Sequence, residues 1–145
     1  MEKSKSNLGI NWGYKMKQAY LAISYSKRKH FNKEVQTLTE LLAKNNIKLL
    51  VFVDKYNFKE NNEKEMMKTA FQEIDKSDFL IAELTTKSIG VGIEIGYAYA
   101  KKKAIFYIRK KGSEYSTTAS GSSSYVVEYD SELDLRELLE GVLEF

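Results

Sequence analysis

Cysteine is missing from the 145-residue chain, and with it go disulfides, thiolate metal sites and a cysteine nucleophile. Histidine is nearly as scarce. His30 stands alone, which argues against a multi-histidine metal centre or a Ser-His-Asp triad. No apolar run reaches membrane-spanning length, and no signal-peptide pattern opens the chain. The expectation is a cytoplasmic protein with no membrane partner. A strong charge of one sign is lacking too: 23 Lys and Arg against 20 Asp and Glu leave a net +3. That mild balance suits attraction of small anions better than coating of a nucleic-acid polymer. Nothing in the sequence calls for a metal or another cofactor.

What is present is an ordinary globular composition, 43% hydrophobic and 30% charged. One domain of this length buries roughly two-thirds of its unfolded surface. Residues 1–18 are polar, without a sustained period, and read as a flexible extension or an expression leftover. Residues 19–145 form the domain. Apolar runs at 19–24 (AYLAIS), 48–53 (KLLVFV), 79–84 (FLIAEL), 104–108 (AIFYI) and 125–129 (YVVEY) predict five strands. Helical spacing of apolar residues predicts helices over 31–45, 63–76 and 91–102, and a closing helix carries Leu135, Leu138, Leu139 and Val142 on one side. Residues 54–62 read as a polar connection. Residues 109–124, rich in Ser, Thr and Gly, are long for a loop and hence a functional candidate.

Strands alternating with helices imply a parallel sheet covered on both faces. Right-handed crossovers then favour a flavodoxin/Rossmann-like three-layer α/β sandwich with a five-stranded sheet in order 2-1-3-4-5. Its ligand crevice lies at the carboxyl ends of strands 1 and 3, where residues 24–30 and 85–94 meet.

Glu94 stands out there. Ile93 and Ile95 flank it on a helix expected to lie buried against the sheet, where a carboxylate is costly unless paired or working. A solvated first-turn glutamate is the alternative. Residues 85–92 offer the hydroxyls of Thr85, Thr86 and Ser88, and glycines that allow close backbone approach. The loop SYSKRKH after strand 1 places Lys27, Arg28 and Lys29 at the same crevice, as phosphate contacts or as a solvated basic loop. Asp78, before strand 3, reads as structural. Glu83, near the strand's end, either approaches the site or faces outward.

The stretch DFLIAELTTKSIGVGIEIG, and above all its Ser-Ile-Gly-Val-Gly-x-Glu-x-Gly core, resembles the nucleoside 2-deoxyribosyltransferase-like family. It is nearest to the branch of 2'-deoxynucleoside 5'-monophosphate N-glycosidases, and the similarity extends over about residues 19–145. The resemblance implies cleavage of the N-glycosidic bond of a nucleoside or nucleotide through a covalent glycosyl–glutamate intermediate. Under it, Glu94 matches the nucleophile, and Tyr20 a strand-1 tyrosine beside it. Ser88, Gly90, Gly92, Ser24 and the following Ser26, Lys27 and Arg28 match phosphate-binding positions. Ser123 resembles a serine that family homodimers lend to the neighbouring subunit. Three positions depart from the pattern. Ala70 occupies the place of a family aspartate, with Glu73 one turn on as a candidate substitute. Ile23 replaces a glycine, and Ser26 an arginine. The leading expectation is hydrolysis of a (deoxy)nucleoside 5'-monophosphate by a homodimer. The alternatives are a deoxyribosyltransferase, a nucleotide-binding protein that Ala70 leaves catalytically impaired, and an interaction protein that merely keeps the fold.

Overall fold

A computed structural model describes residues 17–143. Most of the expected extension therefore lies outside the described residues, although its last two members, Lys17 and Gln18, already belong to the first strand. Five strands, β1 (Lys17–Ile23), β2 (Ile47–Val51), β3 (Phe79–Glu83), β4 (Ala104–Lys110) and β5 (Tyr125–Tyr129), form one sheet in the order β2-β1-β3-β4-β5. Every neighbouring pair is parallel, as the predicted crossovers require.

Side chains alternate between faces along a strand, so each strand feeds two cores. On one face Leu21, Ile81 and Phe106 pack beneath α1 (Asn32–Lys44) and the closing helix, α6 (Glu132–Leu143). On the other, Tyr20, Leu80, Ala82, Ile105 and Tyr107 pack beneath α3 (Glu63–Lys76) and α4 (Ile89–Ala100). Truncating a fully buried member such as Ile81 to alanine costs about 2–5 kcal/mol, because transfer and cavity terms add. α1 ends where Asn46 turns the chain at φ 59°, a conformation asparagine tolerates better than most residues.

Three stretches differ from their sequence reading. The basic loop after β1 is a 3-10 turn (Tyr25–Phe31) leading into α1. The polar connection after β2 is preceded by a short helix, α2 (Phe52–Lys55). The hydroxyl-rich loop before β5 contains α5 (Thr117–Ser122), capped by the Ser116 side chain and set against α4 and β4. These helices have four to seven residues and little apolar period, so tertiary packing holds them. In α6, Leu138 is exposed and Leu143 takes a place in the core.

Candidate active site

Tyr20 points from β1 into the α3–α4 face and is fully buried. Its hydroxyl donates to Glu94 Oε2, joining β1 to the second turn of α4. Burial pushes the Glu94 carboxyl from 4.5 to about 7, and the Tyr20 hydrogen bond partly offsets that rise. The Tyr20 phenol is itself driven far up, by burial first and then by the Glu94 charge. Tyr20 therefore stays protonated and serves as a donor. Near neutral pH Glu94 is divided between acid and carboxylate, the condition of a group that can ionise on demand.

α4 begins at Ile89, two residues earlier than its pattern predicts, because Ser88 caps it. The Ser88 hydroxyl oxygen accepts from Val91 N at 3.3 Å, which leaves its hydrogen free to donate outward. Gly90 and Gly92 thus sit in the first turn rather than in a loop. A Cβ at Gly90 would meet only Ser88 Oγ at 3.9 Å, and one at Gly92 nothing within 4 Å. The fold itself does not require glycine there.

At the end of β1, Ser24 Oγ lies 3.2 Å from Ser26 Oγ, and Lys27 is exposed beside them. Arg28 is committed elsewhere. Its Nε and Nη2 grip the Asp54 carboxylate at 2.8–3.2 Å, and its Nη1 donates to Asn32 Oδ1 at 2.9 Å. Ser123 does not line the pocket that holds Ser88, and its hydroxyl donates to Ala119 O at 2.7 Å. It closes α5 near Lys103 and Ala104, at the amino-terminal edge of the sheet. Ala70 is buried in the same core cluster as Tyr20.

Glu83 proves to be a structural group. It is buried, points to the face opposite Tyr20, and accepts three hydrogen bonds: Thr85 N at 2.8 Å, Thr85 Oγ1 at 2.7 Å and Tyr129 OH at 2.7 Å. Asp78 is structural as expected, exchanging hydrogen bonds with the Gln18 backbone at the amino end of β3.

Ile93 reverses one expectation. It is 49% exposed, with Ile89 at 86% and Tyr99 at 62%, so α4 shows solvent an apolar outer side. A pocket of about 350 Å³ lies between α4 and α5, where Ser88, Gly92, Gly96, Ser116, Thr118 and Ser122 line it. It shares Ser88 and Gly92 with the crevice, but neither Tyr20 nor Glu94 reaches it. Among the described residues no group of three or more His, Cys, Asp or Glu side chains is placed to hold a metal ion.

Sequence reasoning passed over the stretch after β2. Phe58 stacks on Phe52 and Tyr56 there, Phe52 and Tyr56 meet at a tilt, Phe52 reaches the Tyr20 ring, and Lys55 and Tyr56 contact the buried Glu73 of α3. Two aromatics, Tyr56 and Phe58, in a supposedly polar connection that follows Phe52 were the available signal.

The sequence model of the nucleoside 2-deoxyribosyltransferase family matches residues 19–135. No curated protein matches the chain. Among solved structures, the CMP N-glycosidase BcmB of Clostridium botulinum is similar at 22% identity and TM-score 0.63, over 86% of this chain and 98% of that one. A conserved protein of Enterococcus faecalis V583 is similar at 22% identity and TM-score 0.67, over 87% and 98%. A 2-deoxyribosyltransferase of Bacillus psychrosaccharolyticus is similar at 17% identity and TM-score 0.64, over 82% and 90%. At these identities the likeness is one of fold.

Proposed function

The chain belongs to the nucleoside 2-deoxyribosyltransferase family, and from that premise we propose that it hydrolyses the N-glycosidic bond of a (deoxy)nucleoside 5'-monophosphate, with Glu94 as nucleophile. The observation that carries this reading is the Tyr20–Glu94 pair, a half-buried carboxyl pushed up to about 7 and held by one donor from the middle of β1. In the first step a Glu94 oxygen bonds to the anomeric carbon as the C–N bond breaks, its electron pair leaving with the base. In the second, water attacks the same carbon, freeing Glu94 and the sugar phosphate. Tyr20 keeps the ionised form of Glu94 within reach and fixes its orientation.

Phosphate selection is assigned to the rim of the crevice. Ser88 has a free hydroxyl hydrogen at the start of α4, where backbone N–H groups favour an anion. Helical glycine costs about 1 kcal/mol relative to alanine. Gly90 and Gly92, which meet no steric demand from this chain, fit the close approach of a bound group. Ser24, Ser26 and Lys27 supply further donors. Arg28 acts on this loop by tying it to Asp54.

We also infer a homodimer. The apolar outer side of α4, with Ile89, Ile93 and Tyr99 exposed, is suited to a second copy, to whose phosphate site Ser123 would be lent. Ile93→Glu is expected to yield monomers by light scattering.

The primary test is incubation with nucleosides and their 5'-monophosphates, followed by chromatography for free base. Base release from monophosphates alone supports the reading, whereas release only when an acceptor base is present makes the chain a transferase. Ala70 favours one other reading, a nucleotide-binding protein without turnover. Saturable binding with no base release at any pH would establish it, and Ala70→Asp is then expected to bring base release up.

A further inference from the structure

Glu73 is only 3% exposed on α3, yet the Glu94 reaction makes no use of it. Its Oε2 accepts from Lys55 Nζ at 2.8 Å and from Tyr56 OH at 2.5 Å. Burial pushes the Glu73 carboxyl up, but the Lys55 and Tyr56 hydrogen bonds and the Lys55 charge outweigh it and hold the group below its ordinary value. It is a buried, ionised carboxylate with two donors. The same contacts raise Lys55, which remains an ammonium.

The donors occupy an informative place. The Lys55 side chain is 45% exposed, so beyond the N–H given to Glu73 it can still donate outward. The Tyr56 ring lies 5.0 Å from Phe52 and 5.8 Å from Phe58, and Phe52 lies 6.1 Å from Tyr20. A row of aromatic rings therefore runs from the Tyr20–Glu94 pair to the Lys55 ammonium. Tyr20 also feels the Glu73 charge directly. A surface Lys–Glu pair needs no buried partner, since desolvating a carboxylate costs more than an exposed contact returns. What burial adds is aim: both Lys55 and the Tyr56 ring are fixed by one immobile group.

Aromatic faces ending in an aimed cation suit a flat heteroaromatic ring that gains negative charge. We propose, resting on the glycosidase reading, that Lys55 donates to the departing nucleobase and that Glu73 is the positioning residue that holds it there. As the C–N bond breaks, its electron pair spreads over the base onto a carbonyl oxygen or ring nitrogen. A Lys55 N–H donates to that atom and stabilises the charge there, and solvent at the exposed side chain supplies the proton that completes the free base. Tyr56, whose own O–H is spent on Glu73, contributes its ring face, with Phe58 beside it.

The test varies the leaving group. Turnover is compared on the best natural 5'-monophosphate and on a counterpart whose base leaves more readily, 5-fluoro for a pyrimidine or 7-methyl for a purine. Lys55→Met is expected to lower kcat on the natural substrate roughly 10- to 100-fold, the size of a lost charge-assisted hydrogen bond, and to lower it much less on the activated one. Glu73→Gln is expected to show the same asymmetry more weakly, and Lys55→Arg to restore part of the loss. Equal losses on both substrates, or no loss, overturn the proposal while leaving Glu94 chemistry intact. Absence of base release by the unmodified protein from every monophosphate overturns the glycosidase reading, and this inference with it.

Discussion

The two faces of the sheet each carry a glutamate, Glu83 buried and Glu94 half-buried, and the two glutamates are treated differently. On the α1–α6 face, Glu83 is fully buried but accepts from a backbone N–H, a threonine hydroxyl and a tyrosine hydroxyl. On the α3–α4 face, Glu94 has the single Tyr20 donor. Burial raises both carboxyls, and on Glu83 three hydrogen bonds work against the rise. A carboxylate whose lone pairs are largely taken by fixed donors is a brace; one left with a single donor keeps an oxygen for chemistry. Donor count and depth separate the two roles in the same direction.

The sharpest way to break this comparison is to remove each carboxylate in turn. Glu94→Ala is expected to lower base release by at least about a thousandfold, as loss of a covalent nucleophile does. Glu83→Gln should preserve base release while lowering stability by about 1–3 kcal/mol, since an amide cannot accept all three hydrogen bonds. Chromatography and urea unfolding measure the two effects. Loss of turnover in Glu83→Gln at full folding would erase the distinction.

The second prediction concerns stability. The folded pKa of Glu94, about 7, lies above its ordinary 4.5, so the native state binds the proton more tightly. Below about pH 4.5 both states are protonated and the site costs nothing. As pH rises through 7, stability is lost, by on the order of 3 kcal/mol for a shift of this size. Glu94→Gln should therefore match the unmodified protein near pH 4 and exceed it at pH 8, a difference that chemical denaturation at the two pH values resolves.

Tyr20→Phe comes next in size. The Tyr20 hydrogen bond lowers the Glu94 pKa, so its removal moves the acid limb of the kcat/KM profile to higher pH. A displacement of one unit would cost about tenfold in rate at pH 6. An unmoved limb would mean that Glu94 is not the titrating group. Smallest is Gly92→Ala. With nothing within 4 Å of the added Cβ, it should raise stability by up to about 1 kcal/mol while weakening phosphate-dependent binding. A gain in stability with KM unchanged would remove Gly92 from the site.

Much of this comparison is legible in the sequence. The apolar runs and helical spacings give the strand order, and the segment around Glu94 falls at the crevice the topology requires. Periodicity reports which residues avoid water, not what shields them. Ile93 reads as core although it faces outward, because helix α4 is apolar on every side. The pairing of Arg28 with Asp54, 26 residues away, has no local signature, and a free phosphate-binding arginine looks the same in sequence. Glu73 was visible only as a substitute one turn from Ala70. Its partners lie 17 and 18 residues upstream, in a stretch without a period.

Thr85 has a consequence for how fast the crevice can respond. Its hydroxyl donates to Glu83 and accepts from Lys110 N at 3.0 Å, pinning the exit of β3 to that of β4, while Ser88 is pinned three residues later as the cap of α4. Only Thr86 and Lys87 lie between. Ordering a backbone costs about 1–2 kcal/mol per residue, and for this turn that entropy is surrendered during folding, not on meeting a ligand. An anion arriving at Ser88 encounters a surface already set, so capture there should be limited by diffusion and desolvation, with no loop closure in its time course.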